Sequence, residues 1–595
     1  MKLLVLVKPV ALIETASFND DFSIRRDRSR HEISFCDAYA LNVARKVKQL
    51  AQNVSITVLS MASEAQIALL ECLKVYDIDE LVHVCDRSFA QSDTLCTSYI
   101  LSEAIRMRGG FDLILSGQQS TDSETGQVPA QVGIFLGIPF LSSVTDVELK
   151  DNHLCCIRYT ETAKMVWEIP FASCIALCSK GQGLSPPSLR SLRNAKQVPT
   201  IRLTNEDLML PLERIGLQGS PTWVMKCTKH QMERRDALWI RDPEQGAKAI
   251  WEEVRRIFRE QRRPDLKKDA LPEELTGVDP NVVVLSFLFD VPAFETSLEI
   301  LSHAAELGKA GSVLVLGSSL DEAVVERFVK AGAISIRFLR CDESLSEAIY
   351  AGRIQQALRG SIHTILGGAT VRMRSCMSAL AALTGSGLAA DCTQFFLTQE
   401  GSLSVIRPAF GGNLEAMIAL KSRLQMATIR PKAYPIRDYH AVSPVPVEML
   451  DLDVPSLVSR CVLQQPLAEA HDTNLPIIFS VGNGIQDEVL RKRIFAFGFR
   501  QAATRVAVNA FSLDYSLQVG QTGHLVHPAL YVGFGIHGAF QHIVGMKHSE
   551  RIIAINNNAR APIFDYADIA ICCDAEQVVF QLEKLVSDKE EMDEL

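Results

Sequence analysis

The sequence predicts an α/β protein: two related Rossmann-like domains with parallel sheets, followed by a C-terminal α/β domain that carries a glycine turn. Three observations lead there. Short apolar strand-like runs alternate with helix-length segments, which is the pattern of parallel sheets. The first such unit recurs later in the chain. Finally, LYVGFGIHGAFQHIVGM (530–546) sets Gly533, Gly535 and Gly538 between an apolar run and an amphipathic one. That is the order a dinucleotide phosphate turn needs.

The first unit is read as residues 1–260. It opens with MKLLVLVK, whose apolar core is too short for a signal peptide and is closed by Lys8. A first buried strand is the expectation. SITVLSMASEAQIALLECLKVYDIDELVHVCD (55–86) then resembles SVLVLGSSLDEAVVERFVKAGAISIRFLRCD (312–342). Each reads strand, acidic helix, strand, Cys-Asp. DLILSG (112–117) corresponds to HTILGG (363–368), and LGIPFLSSVTDVEL (136–149) to LTGSGLAADCTQFFL (383–397). A helix-like stretch, 243–260, ends the unit. A repeat of this length exceeds solenoid periods and points to a duplication or a fusion.

A charged, proline-bearing joint follows at 261–280, then the second unit, 281–430. A second joint, 431–474, holds Pro431, Pro435, Pro444 and Pro446 in its first half. The C-terminal domain is 475–595. In its glycine turn, the first glycine permits the tight bend and the second lets backbone approach a pyrophosphate. The third lets helix pack on strand, and the helix start offers N–H groups to phosphate. The next strand-like run, 551–556, ends in Asn556, where an NAD site usually carries Asp or Glu. This argues against ordinary NAD binding and leaves room for FAD. SVGNGIQDE (480–488), with Asn483, reads as a strand end, a glycine turn and a helix start, an arrangement for an anion nest. Thr504-Arg505 follows a helix and opens a further strand. QVGQTG (518–523) is a polar glycine loop with amide and hydroxyl donors.

The chain has 595 residues and a net charge of −9, enough for about three or four domains and several cores. Its composition is that of a soluble globular protein. The mild negative charge speaks against nucleic acid as a partner. No apolar run is long enough to cross a membrane, so no membrane insertion is expected. The fifteen cysteines include no C-x-x-C pair. Buried, reduced thiols are expected rather than a metal or iron–sulfur site. The odd count fits a reducing cytoplasm.

QVGQTG, LYVGFGIHGAFQHIVGM and IIAINNNARAPIFDYADIAI together resemble the FAD domain of the electron-transfer flavoprotein alpha subunit. The resemblance extends upstream through GSGLAADCT (385–393), RPAFGGNLEA (407–416) and QMATIRP (425–431). The first half is similar to the beta subunit of the same family. Its marks are KLLVLVKPV, FCDAYAL (35–41), DLILSGQQSTDSETGQVP (112–129), PSLRSLRNAK (187–196) and ERIGLQGSPT (213–222). The likeness covers nearly the whole chain in the order beta, then alpha. It implies a fused pseudo-heterodimer, monomeric as one chain, whose C-terminal α/β domain binds FAD.

The resemblance also implies roles at matching positions. Arg505 matches the arginine over the flavin, where a permanently charged guanidinium favours the anionic reduced form. Thr522 matches the hydroxyl near the flavin's reactive nitrogen, with Gln518, Val519, Gly520 and Gln521 supplying the loop. Gly535, His537, Gly538, Ala539, Phe540, Gln541 and His542 match the helix-start segment, His542 at the position facing the pyrimidine end of the flavin. Asn556 and Asp574 match positions that hold the adenosine end. Three residues depart from the family. Its GGRG arginine is Asn483, the serine before the flavin arginine is Thr504, and His537 replaces another serine. These departures put FAD affinity and redox potential in doubt more than binding itself.

In the first half, polar side chains and a helix start at a strand's C-terminal edge form a phosphate site at DSETGQVP (122–129). In the family this segment holds AMP, here through Gly117, Asp122, Thr125, Gln127 and Val128, with Leu6–Lys8, Ile33–Cys36 and Met61. In electron-bifurcating relatives the same cavity holds a second FAD. Phe35 resembles the AMP type. Thr125 and Gln127-Val128 resemble the loop common among bacterial members, bifurcating ones included. AMP is the expectation and a second FAD the alternative. PSLRSLRNAK resembles the loop that docks a partner dehydrogenase, with Leu189 as anchor and Arg190, Arg193 and Lys196 as flanking bases. Those bases are fewer and differently spaced than usual, which puts a standard acyl-CoA dehydrogenase in doubt as partner.

The implied function is a soluble cytoplasmic electron carrier of the fatty acid β-oxidation type, without a substrate or catalytic residue of its own. It would take electrons from a flavoprotein dehydrogenase, acyl-CoA dehydrogenase-like, and pass them to a quinone reductase or similar acceptor. Two alternatives stand beside it: an electron-bifurcating, NADH-oxidising complex with two FAD, and a nucleotide-binding regulatory or scaffold protein with a decayed redox site.

Overall fold

The computed structural model describes residues 1–12, 30–51, 53–178, 183–229, 237–261, 278–358, 362–398, 402–410, 414–439, 444–452, 459–466, 476–514, 517–520, 526, 528–547 and 549–587. The chain is mixed α/β throughout and divides into two compact units. One comprises Met1–His230 with Leu271–Pro466, the other Gln231–Ala270 with Leu467–Leu595.

The larger unit contains two lobes built on one plan. In the first lobe, parallel strands lie in the spatial order Thr200–Leu203, Glu80–Val84, Ser55–Met61, Lys2–Leu6, Leu113–Gly117, Ser173–Leu177, Phe140–Leu149. In the second lobe the order is Val447–Leu450, Ser335–Arg340, Ala310–Gly317, Val278–Phe287, Thr364–Gly368, Gln425–Ile429, Gly387–Cys392. Position by position these correspond, so the internal repeat read from the sequence is a repeat of topology. The central strands are apolar along their length. Leu3, Leu4, Val5, Val283, Val284 and Leu285 are all at 0% exposure, as strands covered on both faces require.

Each lobe then adds an antiparallel hairpin: His153–Tyr159 with Ala163–Pro170 in the first, Leu403–Ala409 with Leu414–Leu420 in the second. Burial alternates along Ala163–Pro170 and Leu414–Leu420, the period of sheets covered on one face. The hairpins exchange partners between lobes. Thr222–Lys229, from the first half of the chain, pairs antiparallel with Leu414–Leu420. Arg460–Pro466, from the far end of the second lobe, pairs antiparallel with Ala163–Pro170. The sequence does not mark these strands: 431–474 reads as a joint because of its prolines, yet it contributes an edge strand to each lobe, Val447–Leu450 and Arg460–Pro466.

A fully buried ion triad also crosses between the lobes. Arg158 holds Glu347 through two bonds, Nη1–Oε2 at 3.1 Å and Nη2–Oε1 at 2.7 Å, and Arg372 Nε adds a third at 3.0 Å. The Arg158 guanidinium lies 4.9 Å from the Trp167 ring centroid. Burial opposes ionisation of Glu347, but the two guanidinium groups outweigh it and hold the carboxyl below its ordinary value.

The smaller unit has one parallel sheet, ordered Gln518–Val519, Arg500–Thr504, Ile477–Val481, Leu530–Phe534, Arg551–Ile555, Ile569–Ile571, Leu238–Ile240. Counting from Ile477–Val481, the first six run 3-2-1-4-5-6, the doubly wound order. The seventh comes from before the 261–280 joint. So does the helix Pro243–Gln261, whose Ala247, Ile250, Trp251, Val254 and Ile257 pack with Ile477, Phe479, Val532 and Val579. The sequence reading groups this helix with the first unit; its apolar face finds its core in the smaller one.

All fifteen cysteines are free thiols, seven of them buried. Among the described residues no helix is long and apolar enough to cross a membrane.

Candidate functional site

In a doubly wound sheet, ligands bind beyond the carboxyl ends of the strands, where the strand order reverses. In the smaller unit that point lies between Ile477–Val481 and Leu530–Phe534. The residues picked out by sequence collect along this edge. Asn483 follows the first of these strands, Gly535 the second, Asn556 follows Arg551–Ile555, and Asp574 follows Ile569–Ile571. Thr504 ends its strand and Arg505 begins the helix Arg505–Phe511; the expected order, helix then strand, is reversed because the Thr504 hydroxyl caps that helix at the Ala507 N–H. Gln518 and Val519 form the outermost short strand and Gly520 leaves it. Gln521 and Thr522 lie outside the described residues.

The two glycine turns at the reversal point are hydrogen-bonded to each other. Gly482 N–H donates to Phe534 O at 2.8 Å and Gly484 N–H to Gly535 O at 3.0 Å. Ile485 N–H donates to Gly482 O. Three donors of the nest expected around Asn483, the N–H groups of Gly482, Gly484 and Ile485, therefore already have backbone acceptors. Asn483 itself is exposed and held by Gln486.

A longer run of donors lies one strand over. Gly535 adopts φ +61° and Gly538 φ +95°, the left-handed region that favours glycine. A Cβ on Gly538 would collide with the Ile563 backbone. Gly538 thus admits the Pro562–Tyr566 turn rather than packing helix on strand. The helix begins at Phe540, with Ala539 as N-cap. Among the described residues, the N–H groups of His537, Gly538, Ala539 and Gln541 find no acceptor. His537 and Gln541 are exposed. Asn556 braces this run: its Nδ2 donates to Ile536 O at 2.9 Å. Asp574 accepts from Glu576 N–H at the start of the last helix. Free main-chain donors beside glycines that cannot carry a side chain suit a pyrophosphate.

His542 does not face outward. It is buried, its Nδ1 lies 3.0 Å from Val519 O and its Nε2 2.8 Å from Tyr531 Oη. A carbonyl only accepts, so Nδ1 carries the hydrogen and Nε2 accepts from the tyrosine hydroxyl. Burial drives its pKa down to about 4, against the opposing Val519 bond. Both nitrogens are engaged inside the fold. The ring ties the 518–520 loop to the strand beneath it. Gly520 lies against the Gln541–His542 backbone, and its absent Cβ makes room for Gln541 O.

The first lobe has its own reversal point, between Lys2–Leu6 and Leu113–Gly117. Leu6, Met61 and Gly117 end adjacent strands there, and Phe35 and Cys36 start the helix Phe35–Leu50 beside them. Asp37 joins these elements. Its two oxygens accept from Lys8 N and Gly117 N, both at 2.8 Å. Burial pushes its carboxyl up to about 7 despite those two bonds. A Cβ on Gly117 would collide with Asp37 and Cys36. Lys8 Nζ meets Asp122 Oδ1 at 2.7 Å and Ser120 Oγ at 3.2 Å. Burial opposes charge on Asp122, and Lys8 outweighs it, holding the carboxyl below its ordinary value.

The loop 118–127 supplies main-chain donors. Among the described residues, no acceptor meets the N–H of Thr125, Gly126, Gln127 or Val128. The Gln127 side chain is not available: it is 1% exposed, accepts from the Thr94 hydroxyl and donates to Leu388 O at 3.0 Å in the second lobe. Sequence reasoning missed Asp37, Tyr531 and Arg374; Arg374, from the second lobe, donates to Glu124 O at 3.0 Å and Thr125 O at 3.3 Å.

Leu189, the expected docking anchor, is 85% exposed at the start of the helix Leu189–Asn194, capped by Ser188. Arg190, Arg193 and Lys196 are exposed beside it.

Comparison with known proteins supplies the family. The electron transfer flavoprotein domain matches twice, at residues 21–208 and 294–455, and the electron transfer flavoprotein FAD-binding domain matches residues 473–547. The chain is 31% identical over 355 residues to the electron transfer flavoprotein subunit alpha of Clostridium acetobutylicum, covering 56% of this chain and 96% of that protein. It is 33% identical over 225 residues to protein FixB of Bradyrhizobium diazoefficiens, covering 36% of this chain and 61% of that protein. It is 31% identical over 299 residues to the subunit LctC of a lactate dehydrogenase (NAD(+),ferredoxin) of Acetobacterium woodii, covering 48% of this chain and 71% of that protein.

Proposed function

The chain belongs to the electron transfer flavoprotein family, and we propose that it is a single-chain redox carrier in which a beta-like first half is joined to a complete alpha-like remainder. Two facts support the fusion. A nearly whole alpha subunit aligns with only 56% of the chain, and the family domain matches a second time at 21–208. Joining the halves in one chain makes their association intramolecular and keeps it independent of dilution.

The coenzyme of the smaller unit is FAD. The observation that carries this reading is the row of unpaired N–H groups at His537–Gln541 beside Gly535 and Gly538, at the reversal point of a doubly wound sheet. FAD would supply one- and two-electron transfer; the protein binds it and sets its potential. The main-chain donors at 537–541 would hold the pyrophosphate. Asn556 and Asp574 stand where the adenosine end would lie. Thr504, Arg505 and the 518–522 loop would flank the ring system, and Arg505, charged at every physiological pH, favours added negative charge nearby. The His542–Tyr531 pair holds Val519 and hence residues 518–520.

In the first lobe the crevice bounded by Leu6, Met61, Gly117 and the loop 122–128 takes an adenine nucleotide, AMP in this reading. Leu189 and its bases dock a flavoprotein dehydrogenase of the acyl-CoA dehydrogenase kind as donor, and a quinone reductase or similar protein is the acceptor. A small exposed apolar anchor suits the brief encounters that shuttling needs.

The test is to denature the purified chain and count released nucleotides by chromatography. One FAD and one AMP per chain is the expected result; no retained flavin would end the proposal. Arg505→Ala should make the bound flavin harder to reduce, read as a lower midpoint potential. A second reading, electron bifurcation with FAD in both sites, is favoured by the likeness to LctC. It requires two FAD, no AMP, and bleaching by NADH.

A further inference from the structure

The loop that would receive a phosphate in the first lobe is held from behind by the second lobe. Arg374 lies in the first turn of the helix Val371–Thr384. Its Nη2 donates to Glu124 O at 3.0 Å, Thr125 O at 3.3 Å and Gln119 Oε1 at 3.4 Å. These partners are about 250 residues away in sequence, so the contact exists only because the lobes are packed together.

The direction of those two carbonyls matters. A trans peptide is planar, and its C=O and N–H point to opposite sides. When Arg374 draws the carbonyls of Glu124 and Thr125 toward the second lobe, the N–H groups of Thr125 and Gly126 turn away from it. Glu124 has φ +52° and Gly126 φ +65°, with Thr125 between them outside that region. Alternation of this kind makes successive N–H groups converge on one anion. Among the described residues those N–H groups, and those of Gln127 and Val128, have no acceptor. Lys8 stands across the loop on Asp122 and Ser120.

We propose that Arg374 is a positioning residue for the first lobe's nucleotide site: by holding the Glu124 and Thr125 carbonyls it aims the loop's N–H groups at a phosphate. The inference rests on reading that crevice as a nucleotide site. It makes the site's phosphate selectivity a property of the second lobe, which contributes no ligand of its own.

Adenosine and AMP differ only by the phosphate, so they separate this role from a general effect on folding. The full chain, freed of bound nucleotide by dialysis, is titrated with each by calorimetry, as wild type, Arg374→Gln and Arg374→Lys. Wild type should bind AMP at least tenfold more tightly than adenosine. Arg374→Gln should lose most of that ratio while keeping its adenosine affinity and its FAD content. Arg374→Lys, which can still draw one carbonyl, should recover part of it. An unchanged AMP-to-adenosine ratio in Arg374→Gln, or in Arg374→Lys should the glutamine variant not fold, overturns the proposal. So does equal loss of both ligands. If wild type does not prefer AMP, the nucleotide reading falls and the inference with it.

Discussion

Acid should loosen the smaller unit through one buried imidazole. His542 has a folded pKa of about 4 against an ordinary 6.5, because burial disfavours the charged ring. Between those values the unfolded chain binds a proton and the folded chain does not. Stability is therefore complete above the ordinary value and is lost as pH falls toward the folded one. Going from about pH 7.5 to about pH 5, the linkage relation gives a loss of about 2 kcal/mol from this residue alone. The loss has a local mechanism. A protonated ring has no lone pair at Nε2 for the Tyr531 hydroxyl, so the bond beneath the 518–520 loop is replaced by one of a different sense. Hydrogen exchange read on peptides from 530–546, corrected for the intrinsic pH dependence of exchange, reports the opening free energy there. His542→Gln cannot titrate, so the difference between wild type and variant should shrink by about 2 kcal/mol across this pH range. A difference that stays constant with pH would refute the reasoning.

Other outcomes follow from the same geometry. Glu347→Ala strands the buried Arg158 and Arg372 guanidinium groups and should cost about 3–5 kcal/mol in urea unfolding of the larger unit; a loss below about 1 kcal/mol would mean water reaches the triad. Gly538→Ala forces a Cβ onto the Ile563 backbone at φ +95° and should lower the FAD-to-chain ratio, measured by absorbance, whereas Gly498→Ala, at a similarly left-handed φ of +78° but with open space around it, should not. Leu189→Glu should slow electron uptake from the partner dehydrogenase about tenfold or more with flavin content unchanged, since an exposed side chain carries no core packing.

Much of the fold is legible in the sequence because parallel strands are written as continuous apolar runs and glycine turns end them. The repeat of 55–86 in 312–342 reappears as matching strand positions in the two lobes. The candidate site is legible as an edge: Asn483, Thr504, Gln518, Gly535, Asn556 and Asp574 all fall at carboxyl ends of one sheet. What pairs with what is not legible. Amphipathicity in Pro243–Gln261 says that a face is covered, but the cover is Phe479, Val532 and Val579, far along the chain. Nothing in the sequence marks Arg374, and Gln127 reads as a loop ligand, because their partners come from the opposite lobe. The partners of His542 are not legible for a related reason: a motif gives its place in the chain, while Tyr531 and Val519 decide where the ring points.

The traded strands set a timetable for synthesis. Glu168 waits for Arg460, 292 residues later, before its strand, already paired on one side with His153–Tyr159, acquires a neighbour on the other. At roughly 5–20 residues per second, a ribosome takes about 15–60 s to deliver it. Throughout that interval the emerging protein carries an open β-edge, the feature most prone to recruit another chain. Lys164, Glu168 and Pro170 lie along that edge, and ionic or imino residues there discourage the wrong partner until the right one leaves the exit tunnel.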